Sequence, residues 1–358
     1  MKNLIAPLLI FLIVSCSTDS LEPLDQEISE KSLSDTNVPE NSDNEDQEVD
    51  SENQNTAPAL ALQSYLIDEH SAEETSIGFI QANDEDGDDI IFSIESEADI
   101  IIDEHTGEIK VGPNLKLDFE TINSLEFTVS AFDGSTTSHG NFSLNVIDVD
   151  ETTLLNEAEK DLITYFQHLV FWKGHANTPV ERNQKWAVPL QLNLAGTISN
   201  NFSQVVNEVI SEYNTIFNGN FTISLAETEE LANAEVFYGT KEELESHWPD
   251  MHQIVKDGDY HGYAITPSSS YILSDSRIWI SNEASVLFKH ELGHALGFGH
   301  SDKCEEENSF LCSQISVENK ILSEEEKILR YAYHSKIEEG LTESDIEKIL
   351  ADILINEQ

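Results

Sequence analysis

The chain has 358 residues, and its 69 Asp and Glu against 18 Lys and Arg give a formal net charge of −51. A charge of that size excludes nucleic acid and anionic lipid headgroups as partners, since both would repel it. The length has room for two domains and a tail, and the carboxylate excess suits bound calcium, which would neutralise part of it.

Residues 1–15 have the pattern of an export signal. Lys2 precedes an apolar run from Leu4 to Val14 that is too short to cross a bilayer as a helix. The run ends Ile13-Val14-Ser15-Cys16, which resembles a bacterial lipobox. That resemblance implies a lipoprotein signal peptide over 1–15, acylation of Cys16, and an exported protein anchored by lipid in the cell envelope. The outer membrane is the expected site, and the polar and acidic residues after Cys16 suggest surface display. An ordinary signal peptide with an incidental cysteine is the alternative. Residues 17–56 carry thirteen Asp or Glu, one lysine (Lys31) and no aromatic residue. Such a segment cannot bury enough apolar surface to offset its ordering entropy, so 16–56 is expected to be a disordered acidic tether.

Residues 57–150 change character. Ile90–Ile94, Leu125–Ala131 and Asn141–Ile147 are short β-prone runs bounded by Gly, Asp and Asn, the spacing of an antiparallel β-sandwich. Its acidic residues come in an order that resembles a cadherin repeat. Glu69 stands early, Asp84 and Asp86 follow, Leu117-Asp118-Phe119-Glu120 matches the L-D-x-E element, Asp133 lies before Gly134, and Asp148-Val149-Asp150 closes the unit. The resemblance implies calcium bound by Glu69, Asp84, Asp86, Asp118, Glu120, Asp133, Asp148 and Asp150, with a surface protein as partner of the module. Calcium takes six to eight oxygen ligands gathered from distant loops. Cadherin calcium lies between repeats, and with one repeat present the next domain must complete the site. Solvated acidic loops are the alternative.

From Thr152 the pattern is mixed. Helical spacing runs over 157–171 and 201–217, strands are expected over 186–194, 221–225, 234–238, 262–265 and 277–280, and a helix over 283–296. Ser323-Glu324-Glu325-Glu326 reads as a capping box opening a helix to about residue 336, and Thr342-Glu343-Ser344-Asp345 opens the last helix.

The stretch from His290 to His300 carries the chemistry. It reads H-E-x-x-H-x-x-G-x-x-H, with His290 and His294 one helical turn apart, Glu291 beside them, Gly297 where the chain must turn, and His300 as a third imidazole. Three neutral nitrogens with an open position suit a catalytic zinc. The pattern resembles the metzincin signature, and Ser301 after the third histidine resembles matrixins. The expected fold class is therefore multidomain: an all-β cadherin-like sandwich, then an α+β metzincin-type catalytic domain over 151–358 with a twisted mixed sheet, an active-site helix and C-terminal helices.

The family places a methionine turn beneath the zinc. No methionine follows Met251, and Leu311 stands at that position as an apolar plug. With Cys16 acylated, Cys304 and Cys312 are the remaining thiols, either joined in a disulfide or both reduced. No thiol lies between Cys16 and the motif, so a cysteine switch is not available for latency. His261, near Asp257 and Asp259, invites comparison with the matrixin calcium or second-zinc loop, though exposed polarity explains it more simply. His168, His247, His252 and His334 have no partner spacing.

The expected activity is zinc-dependent endopeptidase hydrolysis of protein or peptide substrates, with Glu291 as general base and an edge strand within 262–280 holding the substrate extended. The competing expectation is a surface-anchored, calcium-dependent adhesion or scaffold protein with an accessory or silent zinc site.

Overall fold

In the computed structural model, residues 54–173, 178–305 and 307–357 are described, and the chain forms one unit from Asn55 onward. Cys16 and most of the residues expected to form a leader and an acidic tether lie outside the described residues. Asn55 and Thr56, expected as the end of the tether, are instead tied to the sandwich. The Asn55 side-chain amide donates to Asp133 at 3.0 Å, and the Thr56 N–H donates to Asp86 at 2.6 Å.

The first part is built from β1 (Ala59–Ala61), β2 (Ser64–Asp68), β3 (Ser76–Phe79), β4 (Gln81–Asn83), β5 (Ile91–Glu95), β6 (Ile100–Ile102), β7 (Glu108–Val111), β8 (Ser124–Phe132) and β9 (Thr137–Ile147). Sheets β2-β9-β8-β5 and β3-β7-β6 share one core, in which Tyr65, Phe127 and Phe142 meet Ile109 and Val111. Alternation along β9 puts Gly140, Phe142, Leu144 and Val146 inward, as the two-residue period of a half-buried strand requires. The sandwich is not wholly antiparallel, because β2 pairs parallel with β9.

The second part begins with α1 (Glu157–Phe171), where Asn156 and Glu159 form a reciprocal capping box. It continues through β10 (Trp172–Lys173), β11 (Thr178–Pro179), β12 (Leu190–Gly196), α2 (Asn200–Phe217), β13 (Ile223–Leu225) and β14 (Ala234–Tyr238). Then come α3 (Lys241–His247), α4 (Pro249–Val255), β15 (Gly262–Ile265), β16 (Ser268–Ser269), β17 (Ile272–Leu273), β18 (Ser276–Ile280), α5 (Ser285–Ala295), α6 (Ser323–Ala332) and α7 (Glu343–Asn356). The five-stranded sheet has the order β13-β12-β14-β18-β15, with β15 at the edge and antiparallel to its neighbour. Phe202, Val206, Val209, Tyr213 and Phe217 line the buried face of α2, and each contributes on the order of 2 kcal/mol by burial. α2 stops at Asn218, which takes a left-handed conformation (φ 48°).

Three expectations shift. The strand expected from Trp186 begins at Leu190, after Pro189, and the Trp186 indole N–H instead donates to the Ala295 carbonyl at 2.8 Å. Helices α3 and α4 were not foreseen. The cap of α6 is Leu322, not Ser323, and Glu325 reaches back to accept the Leu322 N–H at 2.8 Å. Glu325 is fully buried, so its place is in the interior and not on a solvated first turn. Among the described residues, no helix is long and apolar enough to cross a membrane.

Candidate functional site

Helix α5 carries His290, Glu291 and His294 and packs against β15, β18 and α2. Its carbonyl ends are satisfied from elsewhere in the chain. Trp186 donates to Ala295, and the Tyr333 hydroxyl donates to Leu296 at 2.9 Å. Buried carbonyls left without donors would each cost about 1–3 kcal/mol, so these contacts fix where the helix ends. Gly297 then turns the chain at φ 98°, a conformation that L side chains avoid. Two residues on, Gly299 packs directly on the chain leaving α1. Its N–H donates to the Leu169 carbonyl at 2.7 Å, and a Cβ there would lie 1.6 Å from the Trp172 carbonyl oxygen.

This path brings His300 to the other two imidazoles, with one ring nitrogen from each of the three within 4.8 Å of one another. His290 Nδ1 lies 2.9 Å from the Phe310 carbonyl oxygen and His294 Nδ1 lies 2.8 Å from that of Phe298. A carbonyl can only accept, so each Nδ1 carries the hydrogen, and in the neutral ring, the form that binds a metal, each Nε2 then presents a lone pair. Those two Nε2 atoms face each other at 3.0 Å. Two lone pairs so placed repel unless a shared cation lies between them. The separation is near the ~3.3 Å edge of a tetrahedron with bonds of about 2.05 Å, as for zinc with imidazole. The donor set therefore fits one zinc held by His290, His294 and His300, with carbonyls orienting two of the ligands.

Glu291 is 5% exposed and sits beside this set. Burial pushes its carboxyl up to about 8, and a cation beside it would pull it back toward the ionised form. Gly262 on β15 lies against it, and a Cβ there would come within 2.7 Å of Glu291 Oε1. The edge strand can approach the carboxyl only because this position has no side chain. The cleft is about 1000 Å³ and is lined by the three histidines, Glu291, β15 and residues 313–317.

Leu311, expected beneath the metal, is fully buried, and its Cδ2 would lie 2.8 Å from a Cβ at Gly293 on α5. Its carbonyl accepts the Ser301 N–H at 3.0 Å, which ties the floor to the residue after the third histidine. Cys304 and Cys312 are joined in a disulfide, with Cα atoms 5.5 Å apart, across the same loop. Behind it is a buried polar network that the sequence did not reveal. The Tyr165 hydroxyl bridges Ser301 Oγ at 2.7 Å and Glu325 at 2.6 Å, and the Ser309 hydroxyl also donates to Glu325. Burial pushes the Glu325 carboxyl above its ordinary range. His168, given no role from spacing, lies with Nε2 3.1 Å from the His300 carbonyl oxygen and so steadies that residue's backbone. His261 is exposed, and no metal-ligand group forms around it among the described residues. Lys173 also lines the cleft, where its Nζ is buried with no hydrogen-bond partner among the described residues, and burial alone lowers its ammonium to about 7.

The acidic residues expected to gather at one calcium site divide between two ends of the sandwich. Glu69, Glu120 and Asp148 come together, as do Asp118, Glu120 and Asp352, the last contributed by α7. Burial, together with the charges of Glu69, Glu151 and Asp352, pushes the Glu120 carboxyl up. Asp150 lines the same groove but uses its carboxylate to cap the turn at Thr152. Asp84, Asp86 and Asp133 belong instead to loops held by local hydrogen bonds. Asp84 accepts the N–H groups of Asp86, Gly87 and Asp88, while Asp133 accepts those of Ser135 and Thr136. Their place in the sequence was consistent with one site, but the strands separate them.

No family model matches the chain, and no curated protein matches it. Among solved structures it is similar to human protocadherin-24 EC1-2, at 22% identity over 27% of this chain and 46% of that one, with a TM-score of 0.26. It is also similar to Drosophila N-cadherin EC1-3, at 20% identity over 26% of this chain and 35% of that one, with a TM-score of 0.25. Mouse clustered PcdhgC3 EC1-3 matches at 23% identity over 26% of this chain and 33% of that one, with a TM-score of 0.23. The chain thus spans less than half the length of these neighbours. It combines a β-rich region that has cadherin extracellular domains among its neighbours with helices toward the C-terminus.

Proposed function

We propose that the chain is a zinc-dependent endopeptidase of the metzincin, matrixin-like kind. It would act on proteins or peptides at a cell surface to which an acylated Cys16 anchors it. The observation that carries this reading is the pair of Nε2 atoms facing each other at 3.0 Å while both Nδ1 atoms point at carbonyls, with a buried carboxyl next to them. A purely structural metal site has no need of that carboxyl. Zinc bound by the three histidines would supply Lewis-acid activation of water and polarisation of the scissile carbonyl. Glu291 takes the proton from the attacking water and delivers it to the leaving amine. Edge strand β15 aligns an extended substrate by main-chain pairing, and Gly262 lets that strand run close to Glu291.

Calcium belongs to this reading as a cation of the junction, held by Glu69, Asp118, Glu120 and Asp148 with Asp352 from α7, while Asp84, Asp86 and Asp133 stand apart from it. Incubating the protein with a heat-denatured protein pool, with and without chelator, tests the enzyme reading. Cleavage that chelator abolishes and Glu291→Ala loses is the expected result. Equal cleavage by wild type and Glu291→Ala overturns it.

A further inference from the structure

We infer that Lys173 is a carboxylate-recognising group in the substrate cleft, selecting peptides that place an acidic side chain or a free C-terminus beside the turn joining His294 to His300. The inference deepens the peptidase reading and rests on it for the word substrate. Its physical basis lies in Lys173 itself.

Lys173 sits on the two-residue strand β10, paired with Thr178 of β11, at the wall of the cleft. Its Nζ is buried and makes no hydrogen bond among the described residues. The aliphatic stem does not carry the ammonium out to water, which is the usual resolution for a lysine on a surface. Burial is the one cause of its lowered ammonium pKa, with no carboxylate offsetting it. An ammonium without a counter-charge in such a place is costly, and it is tolerated at sites where a ligand supplies the missing charge.

The surroundings indicate which ligand. Gly297 lets the turn pack close to Lys173, since a Cβ there would lie 2.9 Å from the Gln184 carbonyl oxygen, 3.0 Å from Leu273 Cδ1 and 3.6 Å from Lys173 Nζ, so no side chain stands between the turn and the ammonium. Val180, Gln184 and Leu273 line the cleft with Lys173, so its neighbours there are apolar or uncharged. A single ammonium among such neighbours matches one negative charge. A phosphate, with nearly two charges and three acceptor oxygens, is better matched by several cationic donors. Every peptide carries a carboxylate at its C-terminus, and many carry one on a side chain. The formal charge of −51 repels acidic peptides at long range, so a preference for them would have to arise locally.

The test is binding to the full-length, metal-stripped protein, measured by fluorescence polarisation at physiological ionic strength. The probes are short labelled peptides with amidated ends that carry Glu or Gln at successive positions, and a neutral peptide with a free or an amidated C-terminus. At one position, Glu is expected to bind at least tenfold more tightly than Gln, or the free C-terminus more tightly than the amide. These two arms separate the two sources of the carboxylate. Lys173→Met and Lys173→Gln should each bring that ratio to about one. Equal binding of every acidic and neutral pair by wild type overturns the inference without recourse to any variant. So does a ratio that survives in both variants. Because no turnover is needed, these results stand whether or not the zinc-loaded protein cleaves peptides. Absence of cleavage would sink the peptidase reading and leave the carboxylate site to be judged by binding alone.

Discussion

Gly299→Ala should damage both the fold and the metal site, although position 299 is not one of the fixed positions of the histidine motif. The added methyl would lie 1.6 Å from the Trp172 carbonyl oxygen, where about 3.2 Å is the closest comfortable approach, so the two segments must part by roughly 1.6 Å. Overpacking of this kind costs about 1–3 kcal/mol, and weakening the Gly299 N–H to Leu169 hydrogen bond adds about 1 kcal/mol. The smaller conformational entropy of an unfolded chain with Ala offsets about 0.4–1 kcal/mol. The net loss is about 1–3.5 kcal/mol. His300 is the next residue, and a shift of an ångström is large beside a metal bond of about 2.05 Å, so zinc affinity should fall about 10–100-fold. All four tryptophans lie between residues 172 and 279, so urea unfolding followed by tryptophan fluorescence reports on this part of the chain and not on the sandwich. Competition with a chromophoric chelator gives the zinc affinity. Gly219→Ala is the control, because its backbone is also left-handed (φ 89°) but nothing lies within 4 Å of the new methyl. It should lose about 1 kcal/mol with no change in zinc binding. Gly299→Ala with stability and zinc affinity both at wild-type values would show that the strand at Trp172 moves aside freely, which would refute the reasoning.

Glu325 holds its proton more tightly when folded, because burial raises its pKa. From about pH 4.3, the unfolded value, up to that raised value, the folded state binds more protons, so stability declines as pH rises through the window. Glu325→Gln should flatten the decline, and an unchanged slope in pH-dependent urea melts would show that this carboxyl does not titrate abnormally. Breaking the disulfide with Cys304→Ser and Cys312→Ser opens a loop of sequence separation 8, which should cost about 2.5 kcal/mol and loosen the floor at Leu311. A loss below about 0.5 kcal/mol would mean that the loop is held by its other contacts. Millimolar calcium should raise the sandwich melting temperature by several degrees, and Glu120→Ala should remove the shift while Asp86→Ala leaves it. Overlaying calcium and chelator curves would mark the junction as solvated acidic surface.

What could be read from the sequence was what is local in it. Helix α5 and its two histidines follow from a spacing of four, and Thr342 announces its helix within three residues. Leu311 was found because it sits at a fixed distance from the motif, and its burial against Gly293 follows from that position. Contacts across long separations were hidden. Tyr165 meets Ser301 across 136 residues and Glu325 across 160. Nothing in a tyrosine on the apolar face of α1 distinguishes it from an ordinary core residue. His168 was set aside for want of a partner at helical spacing, yet its partner is a carbonyl 132 residues away. Gly262 and Gly299 are ordinary glycines until the strand and the carbonyl that press on them are placed. The acidic residues misled for the opposite reason. Their order matched one pattern, but a sandwich has two ends, and alternate loops deliver Asp84 and Asp133 to one and Glu120 and Asp148 to the other. Asp352, on the last helix, carried no signal at all.

On the proposed reading, His290, His294 and His300 hold a zinc that works together with Glu291. The most direct test titrates zinc into the chelator-stripped full-length protein while following both bound metal and peptide hydrolysis. Wild type should bind one equivalent, with hydrolysis rising in step and levelling there. Glu291→Gln should bind the same equivalent and stay inactive. Equal hydrolysis in the two proteins, or one tightly bound equivalent in wild type with no hydrolysis of any peptide, would contradict the claim.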